Sequence, residues 1–154
     1  MSTQDHPHVR MPPPLLHLGG LFIGYVIDQA LHWQPVTLFW QRPVAAVLAL
    51  AGIGLILWAA LLMRRHRTTI LPHRAATTLI TRGPYALTRN PIYLAFALLH
   101  LACAMAQGSL GMALLLPVVL YVMDRHVIAE EEAFHGRQFG AAWEQYRQRV
   151  RRWL

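Results

Sequence analysis

There is no lysine in this chain of 154 residues, and its formal net charge of +7 rests on arginine against 7 acidic residues. A basic chain invites a nucleic-acid reading, but the arginines gather at the ends of apolar runs. They form no stripe interleaved with stacking aromatics, so nucleic acid is not an expected partner. Cysteine is nearly missing as well: Cys103 stands alone, which excludes an intrachain disulfide. Charged residues make up only 14% of the chain while 55% is hydrophobic, a balance too apolar for an ordinary soluble domain. There is no internal repeat, no low-complexity tract and no second domain.

What the chain does have is apolar runs of the length a bilayer requires, about 20 residues per helix. They cover about 15–33, 44–63, 92–107 and 110–123. The first carries His17, Asp28 and His32 and superficially resembles a signal peptide. The flank before it is Pro12-Pro13-Pro14 with little positive charge, and no small-x-small cleavage pattern follows, so a retained helix is expected. Only Gly108-Ser109 separates the third run from the fourth, which implies an antiparallel helical hairpin. Pro117 is tolerable in a membrane helix, where neighbouring groups can satisfy the freed carbonyl, and a kink is expected there. The fold class is an all-α integral membrane protein with four spans: a tail over 1–14, then a single domain over 15–154 ending in the segment 124–154.

Arginine also predicts orientation, because basic residues are retained on the cytoplasmic side. Arg64, Arg65, Arg67, Arg74, Arg82 and Arg89 lie between the second and third runs with no acidic residue among them. Arg125, Arg137, Arg147, Arg149, Arg151 and Arg152 follow the fourth. The other side offers Arg42 alone. Both termini and both of these polar segments therefore read as cytoplasmic.

Polar chemistry concentrates in those two segments. In the first, Gly83-Pro84-Tyr85 and Arg89-Asn90-Pro91-Ile92-Tyr93 stand just before the third run, preceded by Thr77-Thr78-Leu79-Ile80-Thr81, which has extended propensity. Pro91 suits the first turn of a helix, and Asn90 can cap it. A helix start with Arg89 beside it fits two readings. It can be an anchor at headgroup level, or a binding site for an anionic group. In the second segment, Glu130-Glu131-Glu132 cannot all share one helical face, so at least one points away from the others. A carboxylate near the emergence of Arg89 can hold a cationic group, with adjacent arginines keeping it ionised. From Val127 to Val150 the pattern is an amphipathic helix or a pair broken near Gly136 or Gly140. The nine histidines show no paired ligand spacing, and no metal site is expected.

Taken together, TTLITRGPYALTRNPIYLA at 77–95 and VIAEEEAFHGRQFGAAWEQYRQRVRRWL at 127–154 resemble the isoprenylcysteine carboxyl methyltransferase family and its small bacterial relatives. That family's pattern is Gly-x-Tyr, Arg-His-Pro-x-Tyr, a Glu-Glu pair, then Phe-Gly-x-x-Tyr-x-x-Tyr. It corresponds here to Gly83 and Tyr85, to Arg89, Asn90, Pro91 and Tyr93, to Glu131 and Glu132, and to Phe139, Gly140 and Tyr146. The resemblance implies an integral-membrane methyltransferase, in a bacterial inner membrane, that uses S-adenosyl-L-methionine and takes a lipophilic acceptor from the bilayer. The acceptor would be an isoprenoid-linked carboxylate, a phospholipid amine or a thiol. It also implies a cofactor pocket formed by the cytoplasmic loop and the C-terminal segment. The implied cofactor-binding residues are Thr77, Thr78, Leu79, Ile80, Tyr85, Arg89, Asn90, Pro91, Ile92, Tyr93 and Glu131.

Three departures matter. Asn90 stands where eukaryotic members have histidine, and Trp143 replaces the first tyrosine of the last motif. Val127 occupies the place of an arginine that contacts substrate in eukaryotic members. Arg125 is the nearest substitute and becomes a candidate catalytic residue. Glu132 is the other, because an amine or thiol acceptor must lose a proton that Glu132 or His126 would take. The alternative class is a non-catalytic membrane protein, such as an assembly factor or carrier, that keeps the fold.

Overall fold

A computed structural model describes residues 12–66 and 78–154, and among these there is no β-strand. Helix α1 spans Pro13–Ala30, α2 Gln41–Arg65, α3 Pro91–Gln107, α4 Leu110–Met123, α5 Ala129–Phe139 and α6 Ala141–Arg149. A single 3-10 turn at Gly83–Ala86 precedes α3, and a π-helical turn at Asp124–Ile128 joins α4 to α5. The first four helices fall within three residues of the expected apolar runs at both ends. The expected break in the C-terminal segment lies at Gly140, whose φ of 51° separates α5 from α6.

Helix α3 begins at Pro91, where the missing N–H needs no partner. Asn90 occupies the cap position, but its side chain makes no cap bond. Its amide donates instead to the carbonyl of Arg152 at 3.0 Å, an acceptor contributed from the far end of the chain. Ser109 caps α4 by accepting from the Met112 N–H at 3.0 Å. Asp28 on α1 adds to that cap, accepting from the Gly111 N–H at 2.8 Å and from the Ser109 hydroxyl. A carboxylate at a helix start meets unsatisfied N–H groups and the positive end of the helix dipole.

These contacts set the arrangement. The end of α1 meets the start of α4, while Gln41 at the start of α2 donates to the Met105 carbonyl near the end of α3. Helices α1 and α4 are thus antiparallel neighbours, and so are α2 and α3, with the α3–α4 hairpin between them. One end of the bundle gathers the loop 31–40 and the Gly108-Ser109 turn. The other gathers the end of α2, the start of α3 and everything after α4.

Small residues are prominent in the interior, and the exterior is large and apolar. Ala45, Ala59, Ala95, Ala97, Ala102 and Ala104 are buried, while Leu18, Phe22, Val47, Leu50, Leu57, Leu114 and Val118 are exposed. Helices pack this way when lipid covers the outside and close backbone approach holds the inside. At the α1–α4 crossing, a Cβ on Gly24 would lie 2.5 Å from the Met112 Cα, and one on Gly111 would lie 2.2 Å from the Gly24 carbonyl oxygen. Helix α2 and the continuous helix from Leu110 to Phe139 are each long and apolar enough to cross a membrane. The molecule fits an all-α membrane protein.

His17 and His100 meet across α1 and α3, Nδ1 to Nδ1 at 3.2 Å. The Nε2 of His100 lies 3.0 Å from the Met112 carbonyl, which only accepts, so this nitrogen carries the proton. His100 Nδ1 then accepts from His17, leaving the buried His17 Nε2 without a hydrogen-bond partner. The pairing joins two helices, so spacing along one helix could not have revealed it. Among the described residues, no group of three or more His, Cys, Asp or Glu side chains is arranged to hold a metal ion.

Candidate functional site

The two polar segments interlock at one end of the bundle. The Tyr93 hydroxyl, in the first turn of α3, donates to Glu131 on α5 at 2.5 Å. One residue further along α5, Glu132 accepts from Arg89 at 3.0 Å. The Tyr146 hydroxyl on α6 donates to the Tyr85 carbonyl in the 3-10 turn at 2.6 Å. Each part of the first segment therefore touches a different part of the second.

Sequence alone requires that three consecutive glutamates diverge, and they do. Glu130 is exposed, Glu131 turns to Tyr93, and Glu132 turns to the arginines. The π-helical turn contributes to this geometry, because an i→i+5 turn changes the facing of the helix that follows it. The expected pairing of a glutamate with neighbouring arginines falls on Glu132 rather than Glu131. Burial pushes the Glu131 carboxyl up to about 7, and the charge of Glu132 pushes the same way, against the Tyr93 hydrogen bond. Burial and the Glu131 charge also hold the Tyr85 hydroxyl firmly protonated.

Glu132 is gripped twice. Besides Arg89, it takes Arg152 on both oxygens, Nε at 3.1 Å and Nη2 at 2.5 Å. The remaining arm of Arg152 reaches Asp124 at 2.8 Å, and Asp124 also accepts from the Trp153 indole at 3.3 Å. The last residues of the chain thus strap across the start of α3. The Arg89 N–H donates to the Arg151 carbonyl at 3.0 Å, and the Thr88 hydroxyl donates to the Arg152 carbonyl at 2.9 Å.

Arg89 is the most constrained member. Only 9% of its side chain is exposed, Trp143 lies 5.8 Å from its guanidinium carbon, and its Nε is buried with no hydrogen-bond partner. Burial works against its charge and Glu132 offsets that. Trp143, which replaces a tyrosine of the family pattern, packs on His135 and Tyr146 as well.

The expected site residues are brought together unequally. Tyr85, Arg89, Asn90, Pro91, Tyr93 and Glu131 share this end of the molecule, with Pro91 fully buried and Ile92 half-buried beside it. Thr78, Leu79 and Ile80 lead into the 3-10 turn, and Thr77 lies outside the described residues. That turn rests on α2, where a Cβ on Gly83, φ 62°, would meet Leu62 at 3.0 Å. Of the two candidate catalytic residues, Glu132 is committed to its arginines. Arg125 lies exposed, its guanidinium 5.6 Å from the Tyr121 ring. Sequence reasoning did not find Asp124, Arg152 or Trp153, although arginines so near the end of a chain beside an acidic helix are a usable signal.

Two known proteins match part of the chain. The chain is 38% identical over 72 residues to a protein-S-isoprenylcysteine O-methyltransferase of Schizosaccharomyces pombe, a match covering 47% of this chain and 30% of that protein. It is 30% identical over 104 residues to the cobalt-zinc-cadmium resistance protein CzcN of Cupriavidus metallidurans, covering 65% of this chain and 44% of the other. The chain thus matches less than half the length of either relative. No solved structure matches it. The phospholipid methyltransferase family model matches residues 40–142, from the start of α2 to the start of α6, and the chain belongs to that family.

Proposed function

We propose that the protein is an integral-membrane methyltransferase that uses S-adenosyl-L-methionine and acts on a lipophilic acceptor bearing a carboxylate, an amine or a thiol. The first four helices cross the bilayer, and both termini and the cofactor site face the cytoplasm of a bacterial inner membrane. The observation that carries the proposal is the joining of Tyr93 to Glu131, and of Arg89 to Glu132, across segments far apart in the chain. Membership of the phospholipid methyltransferase family supports it.

The donor set fits the cofactor. When bound, S-adenosyl-L-methionine supplies a methyl group already activated on a sulfonium. Glu131 offers a carboxylate for a cationic group. The unpaired Arg89 Nε and the positive end of the α3 dipole suit an anionic one. Thr78 to Ile80, Tyr85 and Asn90 to Tyr93 complete the binding wall. Tyr85, protonated throughout the physiological range, serves as a hydrogen-bond donor.

The chain's contribution to rate is orientation, because holding reacting groups in line removes much of the entropic barrier to a displacement. Glu132 is paired with two guanidinium groups, and its part is to fix Arg89. Arg125, exposed at the bundle edge, suits contact with a polar group on a molecule arriving from the bilayer.

Calorimetric titration of the purified protein with S-adenosylhomocysteine tests the assignment. Glu131→Ala should weaken binding about tenfold or more, the scale of a lost charged hydrogen bond, while Glu130→Ala leaves it nearly unchanged. Equal effects would show that the wrong glutamate has been placed in the site.

A further inference from the structure

We propose that Arg152 is a positioning residue of this site, acting through Glu132 to leave Arg89 available to an anionic group of the ligand. The inference rests on the cofactor reading above and extends it to a residue beyond the stretch matched by the family model.

The argument starts from one carboxylate and two guanidinium groups. Glu132 is only 12% exposed and binds Arg89 at 3.0 Å on one oxygen, while Arg152 engages both of its oxygens. Arg152 takes the larger share of this carboxylate, while Arg89 has one contact with it and keeps an unpaired Nε. Without the Arg152 fork, Glu132 would be free to pair with Arg89 alone, in the two-pronged geometry that such pairs favour. Arg89 would then give its Nε to Glu132 rather than to a ligand.

Asp124 holds the other end of the fork at 2.8 Å, so the guanidinium is fixed between two acids contributed by the π-helical turn and α5. The backbone of the same residue orders the other side of the site. Its carbonyl accepts from the Thr88 hydroxyl at 2.9 Å and from the Asn90 amide at 3.0 Å. Substituting the side chain removes the fork and keeps these carbonyl contacts, so the two contributions can be separated.

The test compares two ligands on the full-length protein in detergent by calorimetric titration. S-Adenosylhomocysteine has an amino-acid portion with a carboxylate, and 5′-methylthioadenosine lacks that portion. Arg152→Ala is expected to weaken S-adenosylhomocysteine by about tenfold or more and to leave 5′-methylthioadenosine within about twofold of wild type. Arg152→Lys restores the charge without the planar fork, so it should fall between wild type and Arg152→Ala for the first ligand and again leave the second unchanged.

Equal weakening of both ligands would reveal a merely structural role and overturn the proposal, as would no weakening of either. If Arg152→Ala does not fold, the same comparison is read from Arg152→Lys. Failure of the wild-type protein to bind either ligand would overturn the cofactor reading itself, and this proposal with it.

Discussion

At the scale of single residues, Glu131 carries the sharpest consequence. Its carboxyl titrates near 7 in the folded protein, well above its ordinary value, because burial penalises the charge. The stability it contributes is therefore fully present below the ordinary carboxyl range and is lost as pH rises through about 7. Ligand binding runs the other way, since a cationic group on the ligand needs the carboxylate. Binding of S-adenosylhomocysteine should tighten about tenfold from about pH 6 to about pH 8, and Glu131→Gln should flatten that dependence. A pH-independent wild-type affinity would contradict the role given to Glu131. The chemistry of this residue was only partly legible in the sequence. Position and motif singled it out, but the assignment of the arginines to Glu132 depends on helix facing set by a π-helical turn, for which composition gives no cue.

At the scale of elements, the chain was far more legible. Runs of about bilayer length, Pro91 at a helix start and Gly108-Ser109 as a short connection all reported local preferences, and local preferences determine where helices begin and end. How the helices pair was not legible, because the pairing is decided by contacts between distant residues. Gly24 lies against Gly111, Asp28 caps a helix far along the chain, and His17 finds His100. The α1–α4 crossing allows a direct test. A side chain at position 111 would enter the space of the Gly24 carbonyl and lie 2.8 Å from the Asp28 carboxylate. Gly111→Val should therefore cost about 2 kcal/mol or more through overpacking and loss of the cap. A lowered melting temperature in detergent is the expected result, and an unchanged one would mean that the helices do not approach so closely.

At the scale of the whole molecule, small residues hold the helices together while large apolar ones face outward, and the ion pairs among the described residues are collected at one end. The basic residues collect at that end too. Exposed Arg64, Arg65, Arg82, Arg125, Arg137, Arg149 and Arg151 all lie there, and Arg42 is at the other. Such a distribution favours a cytoplasmic setting for the site and contact with anionic headgroups around it. On the proposed reading, a soluble cofactor would reach the site from water and a lipophilic acceptor from the bilayer. The resemblance of the motifs anticipated this meeting of two segments. The C-terminal strap through Arg152 and Trp153 was not anticipated, because its partners Asp124, Glu132, Thr88 and Asn90 become neighbours only when the helices are assembled.

The most direct test of this arrangement is transfer of a labelled methyl group. Purified protein incubated with methyl-labelled S-adenosyl-L-methionine and a bacterial membrane lipid extract should place label in an organic-soluble product, and Glu131→Ala should abolish most of that incorporation. Label that stays entirely in the aqueous phase, with wild-type protein shown to be folded, would contradict the account.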